Sequence, residues 1–293
     1  MKTKTILLAD TGIDDAVAII LALNSKHIFV DAIIATRGNV SCTQTTKNTL
    51  MLLNFLKNKT PVFVGDNKIL SETSFETKSV HGKNGMGGFE FSQGDMKAQS
   101  WKKFEEYFLG LKEEVVFICT APLTNLAVLL KKYPESSNKI QKIVIQSGLL
   151  SDDKYISFNV AVDPKAIEIV LGFNIPVVIC PSDMGHIAYL NKNDVQKIKS
   201  FGKTGKMLEF IFQSYKDRVV QNDVATHDGC AVACVENPKI FKFQNAKVFV
   251  DYNENNLGIL KFDFSENGQT KVCTQINVAK FKKLMFKAVK KAK

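Results

Sequence analysis

The sequence predicts an α/β protein: a mostly parallel open sheet flanked by helices, with antiparallel strands appended near the C-terminus. Three observations carry this. As far as Cys180, short unbroken apolar runs alternate with helical patterns, as expected of strands covered on both faces. Beyond residue 240, three strand-like runs follow one another with turn residues between them. No internal repeat, low-complexity block or Pro/Gly-rich linker divides the chain, so residues 1–293 read as one domain.

In chain order, strands are expected over residues 5–9, 32–35, 62–64, 115–119, 143–145 and 177–180. Apolar residues at helical spacing place helices over 14–24, 43–57, 97–111, 124–132 and 164–171. The appended strands are 247–252, 259–264 and 272–278, turning at 253–256 and 266–268. Phe281, Leu284, Met285 and Ala288 then mark a terminal amphipathic helix. Residues 65–99 are the least regular, polar and with six glycines. A long glycine-rich loop in a compact domain is usually functional or mobile.

Composition narrows the class. Hydrophobic residues make up 45% and charged residues 23%, an ordinary globular balance. The longest apolar run, 16–23, holds eight residues, whereas a bilayer span needs about 20. An integral membrane protein is excluded. The N-terminus lacks the apolar stretch and small-residue site of a secretion signal, so the chain is expected in the cytoplasm. The net charge is +10, but residues 280–293 alone hold seven lysines and no acid. That reads as the solvated face of a packed helix, and neither a nucleic-acid nor a membrane partner is expected. The six cysteines form no CxxC pair and read as buried free thiols. Cys230 and Cys234 share a helix face, but no third or fourth soft ligand accompanies them, which argues against zinc.

The chemistry concentrates at strand ends. Asp10-Thr11-Gly12-Ile13-Asp14-Asp15 crowds three carboxylates at the end of the first strand. Acids suit a helix start, but three together repel unless protonated or bridged by a cation. Hard carboxylate oxygens suit Ca²⁺ or Mg²⁺. Capping by Asp14, with Asp10 in the turn, is the structural alternative. Gly12 is expected to permit the tight turn. His227-Asp228 precedes an apolar helical run: either a cap, or a distant carboxylate beside a titratable imidazole. Asn39, Asn125 and Asn159 stand at strand-to-loop junctions, where amides suit sugar hydroxyls as well as turns. Ligands in open α/β sheets bind outside the carboxyl ends of the strands, so all these groups should meet on one edge.

Taken together, these residues resemble a known set. Residues 9–16, Ala-Asp-Thr-Gly-Ile-Asp-Asp-Ala, resemble the acidic signature of the inosine–uridine-type nucleoside hydrolases. Ile-Ile-Ala-Thr-Arg-Gly-Asn at 33–39 looks like that family's second strand and asparagine, and Val-His-Gly-Lys-Asn-Gly at 80–85 like its histidine-glycine loop. Cys-Thr-Ala-Pro-Leu-Thr-Asn-Leu-Ala at 119–127 is close to its Thr-Gly-Pro-Leu-Thr-Asn-Leu-Ala element. Ser157-Phe158-Asn159, then Val162-Asp163-Pro164-Lys165-Ala166, follow in order, and His227-Asp228 falls where the family has its late pair. The resemblance spans nearly the whole chain. It implies a nucleoside hydrolase-like domain with a Rossmann-like core that cleaves the N-glycosidic bond of a purine or pyrimidine ribonucleoside for salvage.

The resemblance also implies roles. One Ca²⁺ would be held by Asp10, Asp15, Asp228 and the carbonyl of Thr120, orienting a water at the anomeric carbon, with Asp10 as general base. Asp14 would bind the ribose 2-hydroxyl, and Asn39 and Asn159 the other hydroxyls. His227 would protonate the departing base; His81 would lie on a mobile loop that closes over the ligand, and Tyr215 would line the base pocket. A homodimer or homotetramer is implied. The chain departs from the family at four places. Its usual Asp-x-Asp-Pro-Gly has Leu8 for the first Asp and Thr11 for Pro; Ser151 replaces an Asn, Ser157 a Glu, and Asn84 the loop's usual Asp. The two serines would strip partners from the 5-hydroxyl, at about 1.5–3 kcal/mol for a bond to a charged group. Three readings follow: a substrate lacking or modifying that hydroxyl, substitution by Asp152 or Asp153, or a weakened relative that only binds nucleosides.

Overall fold

In the computed structural model, residues 1–66, 70–71, 81–92, 94–151, 154, 156–215, 219–220, 223–251 and 258–292 are described. Six strands, β1 (Thr3–Ala9), β2 (Ile28–Ala35), β3 (Val62–Val64), β4 (Val115–Cys119), β5 (Ile140–Gln146) and β6 (Val177–Cys180), are parallel. β7 (Phe241–Asp251), β8 (Ile259–Phe264) and β9 (Thr270–Ile276) complete the sheet in the order β3-β2-β1-β4-β5-β6-β9-β7-β8. β9 joins parallel to β6, and β7 runs antiparallel to both β9 and β8. The predicted class is the observed one.

The unbroken apolar strands feed two layers. Ile6 and Leu8 of β1 point into a core shared with α3 (Trp101–Leu109), α4 (Thr124–Lys132), α5 (Phe158–Val162) and α6 (Pro164–Leu171). Leu7 and Ala9 point into the opposite core, with α1 (Ile13–Leu23), α2 (Cys42–Phe55), α9 (Lys203–Phe212), α10 (His227–Glu236) and α11 (Val278–Lys291). On α11, Phe281, Met285 and Ala288 are buried, as the spacing predicts.

The differences from the sequence reading have local causes. α3 begins four residues late because Gln99 pairs with β3: Gln99 N donates to Val62 O at 2.8 Å, and Val64 N to Gln99 O at 2.8 Å. Ser100 then caps the helix. β9 ends two residues early because Asn277 accepts from Lys280 N at 3.0 Å and starts α11. β7 begins six residues early; its missed half buries only Phe241 and Ala246, which hid it from a search for unbroken apolar runs. Helices α5, α7 (Ser182–Ile187), α8 (Lys192–Lys199) and α9 have no counterpart among the predicted helices. Tyr252, the turn at 253–256, Asp152 and Asp153 lie outside the described residues.

All six cysteines are buried and unbridged. One expectation needs correction: Cys234 does have soft neighbours. Cys180 and Cys273, far away in sequence, bring their sulfurs within 4.8 Å of it and of each other.

Candidate active site and metal centre

β1 and β4 are neighbours, but β1 is followed by β2 on one side and β4 by β5 on the other. The two connections diverge and open a crevice at the carboxyl ends of the strands. Asp10 follows β1 and Thr120 follows β4, so both stand at this switch point. The other expected groups gather there: Asn39 beyond β2, Asn159 on α5, and His227 and Asp228 at the start of α10.

Gly12 caps α1, so Asp14 and Asp15 fall in the first turn rather than at the cap, where the helix dipole favours negative charge. Asp15 Oδ2 accepts from Gly12 N at 3.0 Å and Asn39 Nδ2 at 3.1 Å, and its Oδ1 accepts from Thr120 Oγ1 at 2.8 Å. Thr226 caps α10, so Asp228 too lies in a first turn. Gly12 has an ordinary extended backbone, φ −117°. It is glycine because of crowding, not turn conformation: a Cβ would lie 2.7 Å from Asn39 Nδ2 and 2.8 Å from His81 Nδ1. Gly38 is tighter still, its Cβ falling 1.8 Å from Asp10 Oδ2.

The carboxylates are buried together: Asp10 is 1% exposed, Asp15 0% and Asp228 3%. Oxygens of Asp14, Asp15 and Asp228 lie within 4.8 Å of one another. Asp10 Oδ2 accepts from Asn39 N at 2.7 Å, while its buried Oδ1 has no hydrogen-bond partner. Burial, then the charge of Asp14, pushes Asp15 up to about 6. Burial, then Asp15, holds Asp10 well above the usual carboxylate range; burial, then Asp14, does the same to Asp228. Burial raises Asp14 as well, against the opposing charge of His227. Such crowding is costly unless a cation shares the oxygens. An all-oxygen set with an orphaned carboxylate atom fits a hard divalent ion.

The neutral groups brace this centre. Asn159 donates to Thr120 O at 2.9 Å and Gln146 O at 3.3 Å, so its Oδ1 is the atom left to meet a ligand. The Thr120 carbonyl keeps a second lone pair. Asn39 Nδ2 also donates to Asp10 O at 3.3 Å. His81 Nδ1 accepts from Ile13 N at 3.1 Å, which leaves the proton on Nε2, and burial lowers its pKa to about 4. It meets Tyr215 edge-on, centroids 5.9 Å apart. The loop behind His81 is knitted by Asn84, which accepts from Met86 N and Gly88 N and donates to Phe89 O. An Asp there would lack that donor, so Asn84 has a structural role in the loop.

His227 Nδ1 lies 3.1 Å from Ser182 O, a contact that orients the ring. His186 of α7 packs against it edge-on at 4.7 Å. Gly185 makes room, since a Cβ would lie 2.3 Å from His227 Nδ1. Sequence reasoning missed His186 because α7 is one short turn with no periodic signal. It also missed Gln146, which donates to Ser182 Oγ at 3.1 Å; its place as the last residue of β5 was the available clue.

The departures have visible settings. Leu8 is fully buried in the apolar layer, and its carbonyl accepts from Thr120 N at 2.9 Å. Thr11 pairs with Thr49 through hydroxyls 2.6 Å apart. Ser157 Oγ lies 2.7 Å from Ser147 Oγ and accepts from Gly148 N. Asp183 accepts from Leu150 N and Ser151 N.

Fold and site thus define an α/β enzyme with a buried carboxylate centre able to hold a metal ion. Residues 5–283 match the family described as inosine-uridine preferring nucleoside hydrolase, and the chain belongs to that family. It is a hydrolase acting on N-glycosyl bonds of nucleosides. The non-specific ribonucleoside hydrolases RihC of Salmonella newport and Salmonella typhi are each 32% identical over 252 residues, 84% of this chain and 82% of theirs. A purine-preferring ribonucleoside hydrolase from Gardnerella vaginalis is 25% identical with a TM-score of 0.89, covering 98% of each chain. The plant nucleoside hydrolase PpNRh1 shares the fold at a TM-score of 0.89 and 22% identity, covering 99% of each chain.

Gly38→Ala tests whether Asp10 must sit where it does. An ångström-scale displacement of a reacting group costs about a hundredfold, and kcat for nucleoside hydrolysis is expected to fall by that order. Unchanged kcat in a variant that melts like the parent contradicts it.

Proposed function

We propose that the protein is a Ca²⁺-dependent ribonucleoside hydrolase of nucleoside salvage, working in the cytoplasm as a homo-oligomer and releasing ribose and a free base. The observation that carries this is the buried cluster of Asp14, Asp15 and Asp228, with the orphaned Oδ1 of Asp10 beside it at the switch point. Asp10, Asp15, Asp228 and the Thr120 carbonyl would hold the ion. When bound, it would supply positive charge that orients a water and eases its deprotonation.

The chain's own residues do the rest. Asp10 Oδ1 takes the proton of the attacking water. Asp14 accepts the ribose 2-hydroxyl, and Asn39 and Asn159 hold the remaining hydroxyls, fixing the anomeric carbon. The transition state carries oxocarbenium character, which the carboxylates stabilise. His227, braced by Ser182 O and His186, donates a proton to the departing base. His81 and Tyr215 wall the base pocket.

His227→Ala separates proton donation from binding. General acid catalysis contributes about 10²–10⁴-fold, so kcat for inosine should fall by about that factor. A 4-nitrophenyl riboside, whose nitrophenolate departs without a proton, should lose far less. Equal losses on both substrates would remove His227 from the acid role.

A second reading concerns the sugar. Ser157 stands where the family has a carboxylate, and its hydroxyl is held by Ser147 and Gly148. The subsite is thereby adapted to sugars that lack or modify the 5-hydroxyl. Ribose release from inosine, uridine, cytidine and adenosine, beside their 5-deoxy analogues, tests it: the deoxy sugars should lose less than about tenfold in kcat/KM, below the worth of a charged hydrogen bond. A larger loss restores an ordinary 5-hydroxyl subsite.

A further inference from the structure

Three cysteines outside the active site converge. Parallel pairing of β6 with β9 through Ile179 and Val272 sets the next residues, Cys180 and Cys273, side by side. Cys234, on the buried face of α10, completes the group. The three sulfurs lie within 4.8 Å of one another, with Cys234 Sγ 3.3 Å from Cys273 Sγ. All three residues are at most 2% exposed, in the apolar layer beneath α10.

We propose that Cys180, Cys234 and Cys273 form a site for one soft monovalent cation, Cu(I), held by three sulfurs. Thiolates select soft ions, Cu(I) and zinc first among them. Trigonal binding at a metal–sulfur distance of about 2.3 Å asks for sulfurs about 4 Å apart, within the observed spread. Structural zinc takes four ligands, and among the described residues no fourth His, Cys, Asp or Glu joins the set. Binding would displace thiol protons, since the thiolate is the ligand, and the hydrogen-bonded contact of Cys234 with Cys273 already brings two of the sulfurs together.

The site sits on the helix that begins with His227 and Asp228, so an occupant ties α10 to β6 and β9. Cys42 is a natural control: it is buried on α2, where its thiol donates to Ala35 O at 3.5 Å.

The test is anaerobic titration of the reduced full chain, kept in Ca²⁺, with Cu(I) against a chromogenic Cu(I) chelator. Wild type and Cys42→Ala are expected to retain one equivalent with an ultraviolet thiolate-to-copper band, and Cys234→Ala and Cys273→Ala to lose both. No retention by wild type, or retention by Cys234→Ala, overturns the proposal and leaves the thiols as packing groups. Should the variants fail to fold, copper-edge X-ray absorption on wild type decides: three sulfur neighbours are expected, and oxygen or nitrogen neighbours overturn it. A parallel Zn(II) titration is expected to retain nothing; retention of Zn(II) in place of Cu(I) overturns the choice of ion.

Discussion

Asp10→Ala is expected to lower kcat for ribonucleoside hydrolysis by about a thousandfold, the middle of the range for a general base, while leaving the fold intact. The fold should survive because the carboxylate makes few structural contacts. Oδ2 accepts from Asn39 N, and Oδ1 has no partner at all. Removing it loses about 1.5–3 kcal/mol for a hydrogen bond to a charged group, but it also relieves the repulsion from Asp15. Asp10→Asn keeps the shape and an acceptor for Asn39 N, and removes the base together with one negative charge at the ion, so its rate is measured at saturating Ca²⁺. Initial rates of reducing-sugar release beside circular-dichroism melts separate the effects. Wild-type turnover in either variant ends the assignment of Asp10 as base. A melt that collapses in both makes it a structural residue.

Metal removal should have the next largest effect, on stability as well as on rate. Four carboxylates remain facing one another when the ion leaves, each pushed upward chiefly by burial. An ion binding only the folded state at a hundred times its Kd stabilises by about 2.7 kcal/mol. For a chain of this size that is about 5–10 °C in Tm, at roughly 2–4 °C per kcal/mol. Exhaustive chelation is expected to lower Tm by that much, and Ca²⁺ to restore it. Mg²⁺ demands near-octahedral geometry and dehydrates reluctantly, so it should restore less. Asp228→Asn should melt alike with and without Ca²⁺. A wild-type melt indifferent to both chelator and Ca²⁺ would mean that the carboxylates share protons rather than a cation.

The fold was legible because its parallel strands are covered on both faces. Leu7 and Leu8 enter opposite cores, so β1 is apolar from Ile6 to Ala9 and announces itself. β7, with only Phe241 and Ala246 buried, did not, and half of it was missed. The carboxylate centre was legible because Asp10, Asp14 and Asp15 are neighbours in sequence at a strand end. Residues brought together only by pairing were not: His186 meets His227 from a helix without periodicity, and Cys180, Cys234 and Cys273 meet because β9 returns to β6. Gly12 shows a subtler limit. The residue was singled out correctly, but the cause is the approach of Asn39 and His81, which no local rule contains.

The central claim is that the buried carboxylates hold the ion on which hydrolysis depends. Its most direct measurement is ribose release from inosine by metal-stripped protein as Ca²⁺ is titrated back, with bound calcium counted in the same samples. The account predicts negligible release at the start and a rate that rises in proportion to occupancy, reaching its maximum at one Ca²⁺ per chain. Full activity in the stripped protein, or calcium that binds without restoring turnover, would contradict it.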